Sequence, residues 1–439
     1  MSGGSTTLPR WAAVVLRPGP ARTWALAALA ALVLLVLAPA VLSDFRLSLL
    51  ARFLCLAMVA VGIGLAWGQG GMLTLGQGVF FGLGAYIMAM HLKLADAGPG
   101  GVPDFMLLYG TGEVPGWWEP MRSPATTVVL VVAVPALLAL VLGTAVFRRQ
   151  VRGAYFAVLS QALAAAFAIL LVGQQQTTGG TNGLNGFRSF FGYDLADPVN
   201  RRMLYLLAAG TLLVMVLAVR ALMRSRYGEL LVAVRDQENR VRFLGYDPVR
   251  VKVFAYVVAA VFAAIGGALF VPIAGIISPA DVGVVPSIGF LVGVAIGGRA
   301  TLLGPVLGSV VVAWAETGLS ESFPSFWTYF QGALFILVVA FLPGGPAQLA
   351  GVLRRRRGAG HAPGAGRAGA DTDQPAGGGR GRRPDAGGDT ADATDTLEDG
   401  PGRAATGHGD PPVVAASGPP AAAANDPDHH LAATTERHP

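Results

Sequence analysis

The sequence predicts an all-α fold: a polytopic transmembrane helical bundle of about ten spans, both termini cytoplasmic, with a disordered C-terminal tail. Three observations predict it: composition, the lengths of the apolar runs, and the charge that alternates between them. Hydrophobic residues make up 53% of the 439 residues and charged residues only 13%. A soluble domain carries about 25% charged residues, so this chain has too little polar surface for water alone.

Uncharged runs occupy 24–42, 53–90, 125–147, 153–173, 203–219, 253–280, 282–298, 300–315 and 322–353. A spanning helix needs about 20 residues, so 53–90 folds back as two passes with its turn near 67–71. Only Arg299 separates 282–298 from 300–315, which read as two short or broken helices. Backbone that faces lipid must be hydrogen-bonded within its own segment, and runs of this length satisfy that as helices.

Charge orders these passes. The N-terminal segment 1–23 carries Arg10, Arg17 and Arg22 without an acid, which sets it inside. The loop 93–125 has a net charge of −2 and falls outside, whereas 148–152 has +3 and falls inside. The outer loop 174–202 sets Arg188, Arg201 and Arg202 against Asp194 and Asp197, and the inner loop 220–252 carries +4. Arg299 then falls inside, Glu316 and Glu321 outside, and Arg354–Arg357 inside. The first run reads as an uncleaved helix, because no small-x-small site precedes a polar mature domain. The transmembrane domain is therefore 24–353, with a cytoplasmic loop at 225–247 inside it. The tail, 358–439, is rich in Gly, Ala, Pro, Asp and Arg and has almost none of the large apolar residues that offset ordering entropy.

The formal net charge of +6 raises nucleic acid as a partner, but the basic residues sit in short loops and the tail. Membrane lipid is the partner that this distribution fits. Cys55 is the only cysteine, so no disulfide or CxxC pair forms within one chain, and it reads as a packing residue. No metal or cofactor is expected.

Three features rise above the apolar background. The glycine-dense stretch GIGLAWGQGGMLTLGQGVFFGLGAY (62–86) holds Gly64/Gly68 and Gly78/Gly82 at a spacing that lets helices approach closely. Gln69, Thr74 and Gln77 lie at or just after its break, and polar groups at a helix break in a membrane line a cavity or solute path. A polar outer segment, 174–183, contributes Thr181 and Asn182 and follows a helix carrying Ser160 and Gln161. Such amides and hydroxyls are neutral donors and acceptors, suited to an uncharged polar solute, while a solvated loop is the plainer reading.

The third feature is SRYGELLVAVRDQENRVRFLGYD (225–247). Its apolar positions 230, 231, 234, 241 and 244 recur at helical spacing, charges occupy the other face, and Gly245 ends the helix. A lipid-bound helix tends to be purely basic, whereas this one mixes Arg235, Arg240 and Arg242 with Glu229, Asp236 and Glu238. Mixed charge favours a protein partner.

This run resembles the cytoplasmic coupling segment of ABC importer permeases of the branched-chain amino acid and urea group. GMLTLGQGVFFGLGAY, TTGGTNGL, VFAAIGGALF, VAIGGRATLLGPVLGS and FQGALFILVVAFLPGG resemble that family's segments in order, so the resemblance spans roughly 45–345. VPDFMLLYGTGEVPGWWEP (102–120) and RFLGYDPVRVK (242–252) look most like the larger permease of urea transporters. Gln77 stands where many relatives carry a histidine. The resemblance implies a bacterial cytoplasmic-membrane permease subunit for urea or, next, a branched-chain amino acid. It also implies two cytoplasmic ATPase subunits, a second permease and an extracytoplasmic solute-binding protein as partners. Gly228, Ala233, Arg235, Asp236, Glu238, Arg240 and Gly245 would form the ATPase-coupling segment.

What the chain lacks agrees. It has no G-x-x-x-x-G-K-[ST] phosphate loop, so energy must enter through another polypeptide. No G-x-S-x-G elbow or H-E-x-x-H helix supports a membrane-embedded enzyme. The apolar runs contain no Asp, Glu or His near a centre, which counts against a proton- or sodium-coupled carrier, while a stand-alone channel or carrier without an ATPase remains the rival from another class.

Overall fold

The computed structural model describes residues 28–151, 153–299 and 301–322, with single positions between 329 and 336. The chain divides into two units, 1–364 and 365–439, and every described residue belongs to the first. The N-terminal arginines, Arg152, most of the run 322–353, Arg354–Arg357 and the tail lie outside the described residues.

Among the described residues, ten helices longer than ten residues carry the fold. They are α1 (Ala28–Val41), α2 (Asp44–Gln69), α3 (Gln77–Asp96), α4 (Pro124–Arg148), α5 (Ala154–Gly173) and α6 (Pro198–Arg224). There follow α7 (Arg226–Phe243), α8 (Pro248–Ala274), α9 (Val284–Gly297) and α10 (Gly304–Ser322). Seven described helices are long and apolar enough to cross a membrane, with α9 counted from Pro279, and two shorter apolar helices flank them. Four two-residue strands add to the expected all-α fold: β1 (Leu184–Asn185), β2 (Ser189–Phe190), β3 (Tyr193–Asp194) and β4 (Ile276–Ile277). β1 pairs antiparallel with β4, and β2 with β3.

Helix ends follow local chemistry. Asp197 and Asp247 accept hydrogen bonds from the Val199 and Val249 amides, with Pro198 and Pro248 in the first turns of α6 and α8. Gly275, at φ +75°, closes α8 in a left-handed conformation. One boundary differs from the sequence reading. The second apolar run starts at Phe53, but α2 begins at Asp44 after the extended Ser43, roughly two and a half turns earlier. Arg46 and Arg52 therefore lie inside a membrane-length helix. A hydropathy boundary drawn at the last charge cannot see this, because the helix continues through its charged turns.

The core forms around α8, which packs on α2, α3 and α4. The backbones nearly touch: a Cβ at Gly84 would lie 2.0 Å from the Ala264 carbonyl, and one at Gly267 2.0 Å from that of Phe81. The glycines singled out by spacing pack elsewhere, Gly64 on Pro305, Gly68 on the Arg299 backbone, and Gly78 and Gly82 on Val282. Cys55 is fully buried in this core, as a packing residue should be. The most apolar stretches of α2 and α3 are 78% and 83% buried, against 22%, 28% and 33% for α4, α5 and α6. Leu137, Val158 and Val214 face outward from those three rim helices, a surface that hydrocarbon solvates and water does not.

The loops gather at two ends. At one, Asp44 pairs with Arg202 at 3.0 Å, and the Asp96 carboxylate accepts from the Arg188 and Ser189 amides. At the other, Arg235 reaches Gly68, Arg299 covers Trp67, and Lys252 pairs with Glu238. The acidic loop 93–125 thus sits apart from the basic loop 220–252.

Substituting Gly84→Leu or Gly267→Leu forces the α3–α8 backbones apart. Each is expected to destabilise the bundle by about 1–3 kcal/mol or more, read as a lower thermal midpoint in size-exclusion assays. Gly210→Ala, where no atom stands within 4 Å of the added Cβ, should leave the midpoint unchanged.

Candidate functional site

The glycine-dense stretch forms a broken hairpin. α2 ends in a π-helical turn, Gly64–Gln69, and the chain leaves helical geometry until α3 starts at Gln77. Two serines hold the break. Ser160 Oγ on α5 accepts from the Leu75 amide at 3.0 Å and donates to the Ala157 carbonyl at 2.9 Å. Ser287 Oγ on α9 accepts from the Gly78 amide at 3.2 Å and donates to the Gly283 carbonyl at 2.8 Å. Ser287 carries no sequence signal, since one serine in an apolar helix reads as packing.

Thr74 and Gln77 are each 1% exposed. Thr74 Oγ1 and Gln77 Oε1 and Nε2 are buried with no hydrogen-bond partner. Leaving such groups unpaired costs about 1–3 kcal/mol each, and among the described residues no protein group supplies their partners. Gln69 is half-buried at the end of α2, and Gln161 half-buried beside Ser160. Thr181 and Asn182 are not part of the buried layer. They are exposed in a 3-10 turn, Gly180–Asn182, packed against the turn Pro279–Asp281.

Beneath the break lies α7. Gln237, at φ −147° and ψ 70°, divides it into two segments. Leu231, Val234 and Val241 are buried, as the helical spacing predicts, and Leu230 is half-buried. Leu244 is 75% exposed, beside the exposed Phe243 and Tyr246, because the helix ends at Phe243 and Gly245 turns left-handed at φ +88°. Position 244 thus leaves the apolar face that the spacing assigned it.

Arg235 joins α7 to the break. Its Nη1 donates to the Gly68 carbonyl at 3.0 Å and its Nε to Asp236 Oδ1 at 2.8 Å. That hydrogen bond holds the Asp236 carboxyl below its ordinary range, so it stays ionised at neutral pH. Arg299 stacks 5.0 Å above the Trp67 ring, and burial together with the Arg235 charge lowers its pKa. Glu238 points inward and pairs with Lys252 at 2.8 Å. Gly228 makes the tight turn from α6, where a Cβ would lie 2.5 Å from Met223. Ala233, Asp236, Arg240 and Gly245 face outward, so the residues expected to form a coupling segment are split between inward and outward positions. A cavity of about 300 Å³ opens between Gly70, Gly71, Arg235, Asp236, Glu238 and Lys252.

A bundle of apolar helices with a polar break above a charged surface helix defines a multi-pass membrane transport protein. Residues 45–339 match the family described as branched-chain amino acid transport system permease component, and the chain belongs to it. It is 26% identical over 341 residues to the high-affinity branched-chain amino acid transport system permease protein LivM of Salmonella typhimurium, covering 72% of this chain and 73% of that protein. The Escherichia coli LivM matches at 26% over 340 residues, with the same coverage. No solved structure matches. The family is a transport component and not an enzyme, and with these helices it locates the chain in the bacterial inner membrane.

Replacing Gln77 by leucine removes an unpaired amide. Stability should hold or rise by about 1 kcal/mol while uptake by the assembled transporter falls, a divergence that a packing role would not produce.

Proposed function

We propose that the chain is one of two permease subunits in an ATP-driven importer for branched-chain amino acids. Its basic end faces cytoplasmic ATPases, and its opposite end receives solute from an external binding protein. The match over 45–339 and the two LivM relatives support the solute class. The observation that carries the coupling reading is the Arg235–Gly68 bond, which ties a surface helix of mixed charge to the break in the membrane hairpin. Closure of the ATPases beneath α7 would then pull directly on the segment bearing Thr74 and Gln77. The basic end is set inside by the positive-inside rule.

Urea is the second reading, supported by the likeness of 102–120 and 242–252 to the larger urea permease. In the structure the segment after Pro103 forms a short helix, Asp104–Tyr109, and the Phe105 and Trp118 ring centroids lie 6.0 Å apart.

Membrane vesicles carrying the complete assembly decide between them. Labelled leucine should enter in an ATP-dependent manner and labelled urea should not; urea uptake alone would overturn the amino acid reading. Replacing Arg235 and Asp236 together by alanine should abolish uptake and ATPase co-purification without affecting membrane insertion. Unchanged uptake in that variant would overturn the coupling role.

A further inference from the structure

A cavity of about 480 Å³ lies between α2, α3, α8, α9 and α10, within the range of small-molecule sites. Its walls combine two chemistries. Phe81, Phe270 and Phe290 form an aromatic face, with the Phe81 ring 5.3 Å from Phe270 and 5.6 Å from Phe290. Arg52, Asp281 and Glu316 bring both signs of charge to the same space.

Arg52 is the informative member. It lies roughly 12 Å along α2 from Asp44, where a cation in a spanning helix is costly and marks a functional position. Its plainer role is to cap α8, since Nη2 points at the Ala274 carbonyl and the guanidinium stands 6.0 Å from the Phe270 ring. That bond is 3.5 Å long, and Nε is buried with no acceptor. A guanidinium has five N–H donors in a planar fork that matches a carboxylate, and a long capping bond leaves most of that capacity unused. Asp281 is half committed: Oδ2 accepts from the Ser278 amide and hydroxyl at 2.9 and 2.7 Å.

We propose that this cavity binds a free α-amino acid with a branched apolar side chain. Arg52 takes the carboxylate, the acidic side formed by Asp281 and Glu316 takes the ammonium, and the three phenylalanines take the side chain. The assignment rests on the amino acid reading above. A neutral urea molecule would match neither the charges nor the aromatic face. The position suits a station on entry. Asp281 ends the turn that packs against Thr181 and Asn182, while Phe81 stands one turn beyond Gln77 and Phe290 one turn beyond Ser287. The cavity thus sits between the outer loops and the buried polar layer.

The test uses the complete assembly with leucine and leucinol, which lacks the carboxylate, as probes. Arg52→Gln should reduce leucine uptake roughly tenfold or more, with Arg52→Lys partly restoring it. In the otherwise native chain, whose Cys55 is fully buried, Val285→Cys places a thiol at the cavity wall. Leucine should slow its modification by a thiol reagent, and leucinol should not. If the wild-type assembly imports urea and not leucine, the underlying function is wrong. If it imports leucine but Arg52→Gln transports normally, or leucine and leucinol protect the Val285→Cys thiol equally, the site is wrong and the function stands.

Discussion

Between Gln69 and Gln77 the backbone leaves helical geometry inside the bundle; the Gly70, Gly71 and Met72 amides still reach carbonyls at the end of α2, and beyond them the Leu75 amide has no helix to continue. An unpaired backbone group in a hydrocarbon setting costs several kcal/mol, so a break there survives only if neighbouring helices complete it. Ser160 and Ser287 do so from α5 and α9, each passing its own proton to a carbonyl one turn back on its helix. The break therefore fixes where α5 and α9 stand relative to α3. It also explains why glycine is dense here: a Cβ at Gly76 would lie 2.3 Å from the Ser160 carbonyl, and one at Gly78 2.5 Å from Ser287 Oγ. Serine hydroxyls can reach these amides only because no side chain stands between.

The same break exposes a contrast in polar chemistry. The Leu75 and Gly78 amides are paired, yet the neighbouring Thr74 and Gln77 side chains are not. Structure that only had to persist would satisfy both sets or replace the second with apolar residues. Backbone satisfaction makes the turn rigid, and unpaired side chains leave it a local appetite for hydrogen bonds.

Much of this was legible in the sequence. Apolar run lengths and loop charges locate the helices, and the 3.6-residue pattern of 225–247 finds the buried side of α7 through Leu231, Val234 and Val241. The glycine break marks Thr74 and Gln77, which the structure buries together. What escaped was long-range or arose at ends. Arg52 was hidden because its run appears to start one residue later, and hydropathy cannot show that Asp44 opens the helix. Ser287 gained its role from a residue more than two hundred positions away. Leu244 left its predicted face because periodicity says nothing about where a helix stops. The paired strands β1 and β4 join segments too short to register as strands at all.

The kink at Gln237 gives α7 two independent attachments. The segment before it is fastened to the membrane hairpin through Arg235 and Gly68, and the segment after it begins at Glu238, which is fastened to α8 through Lys252. A straight rod would carry a push to both attachments alike, whereas a jointed one would let the hairpin turn relative to α8, against which its backbone packs closely. Under the proposed coupling, α7 would act less as a handle than as a pair of levers sharing one pivot.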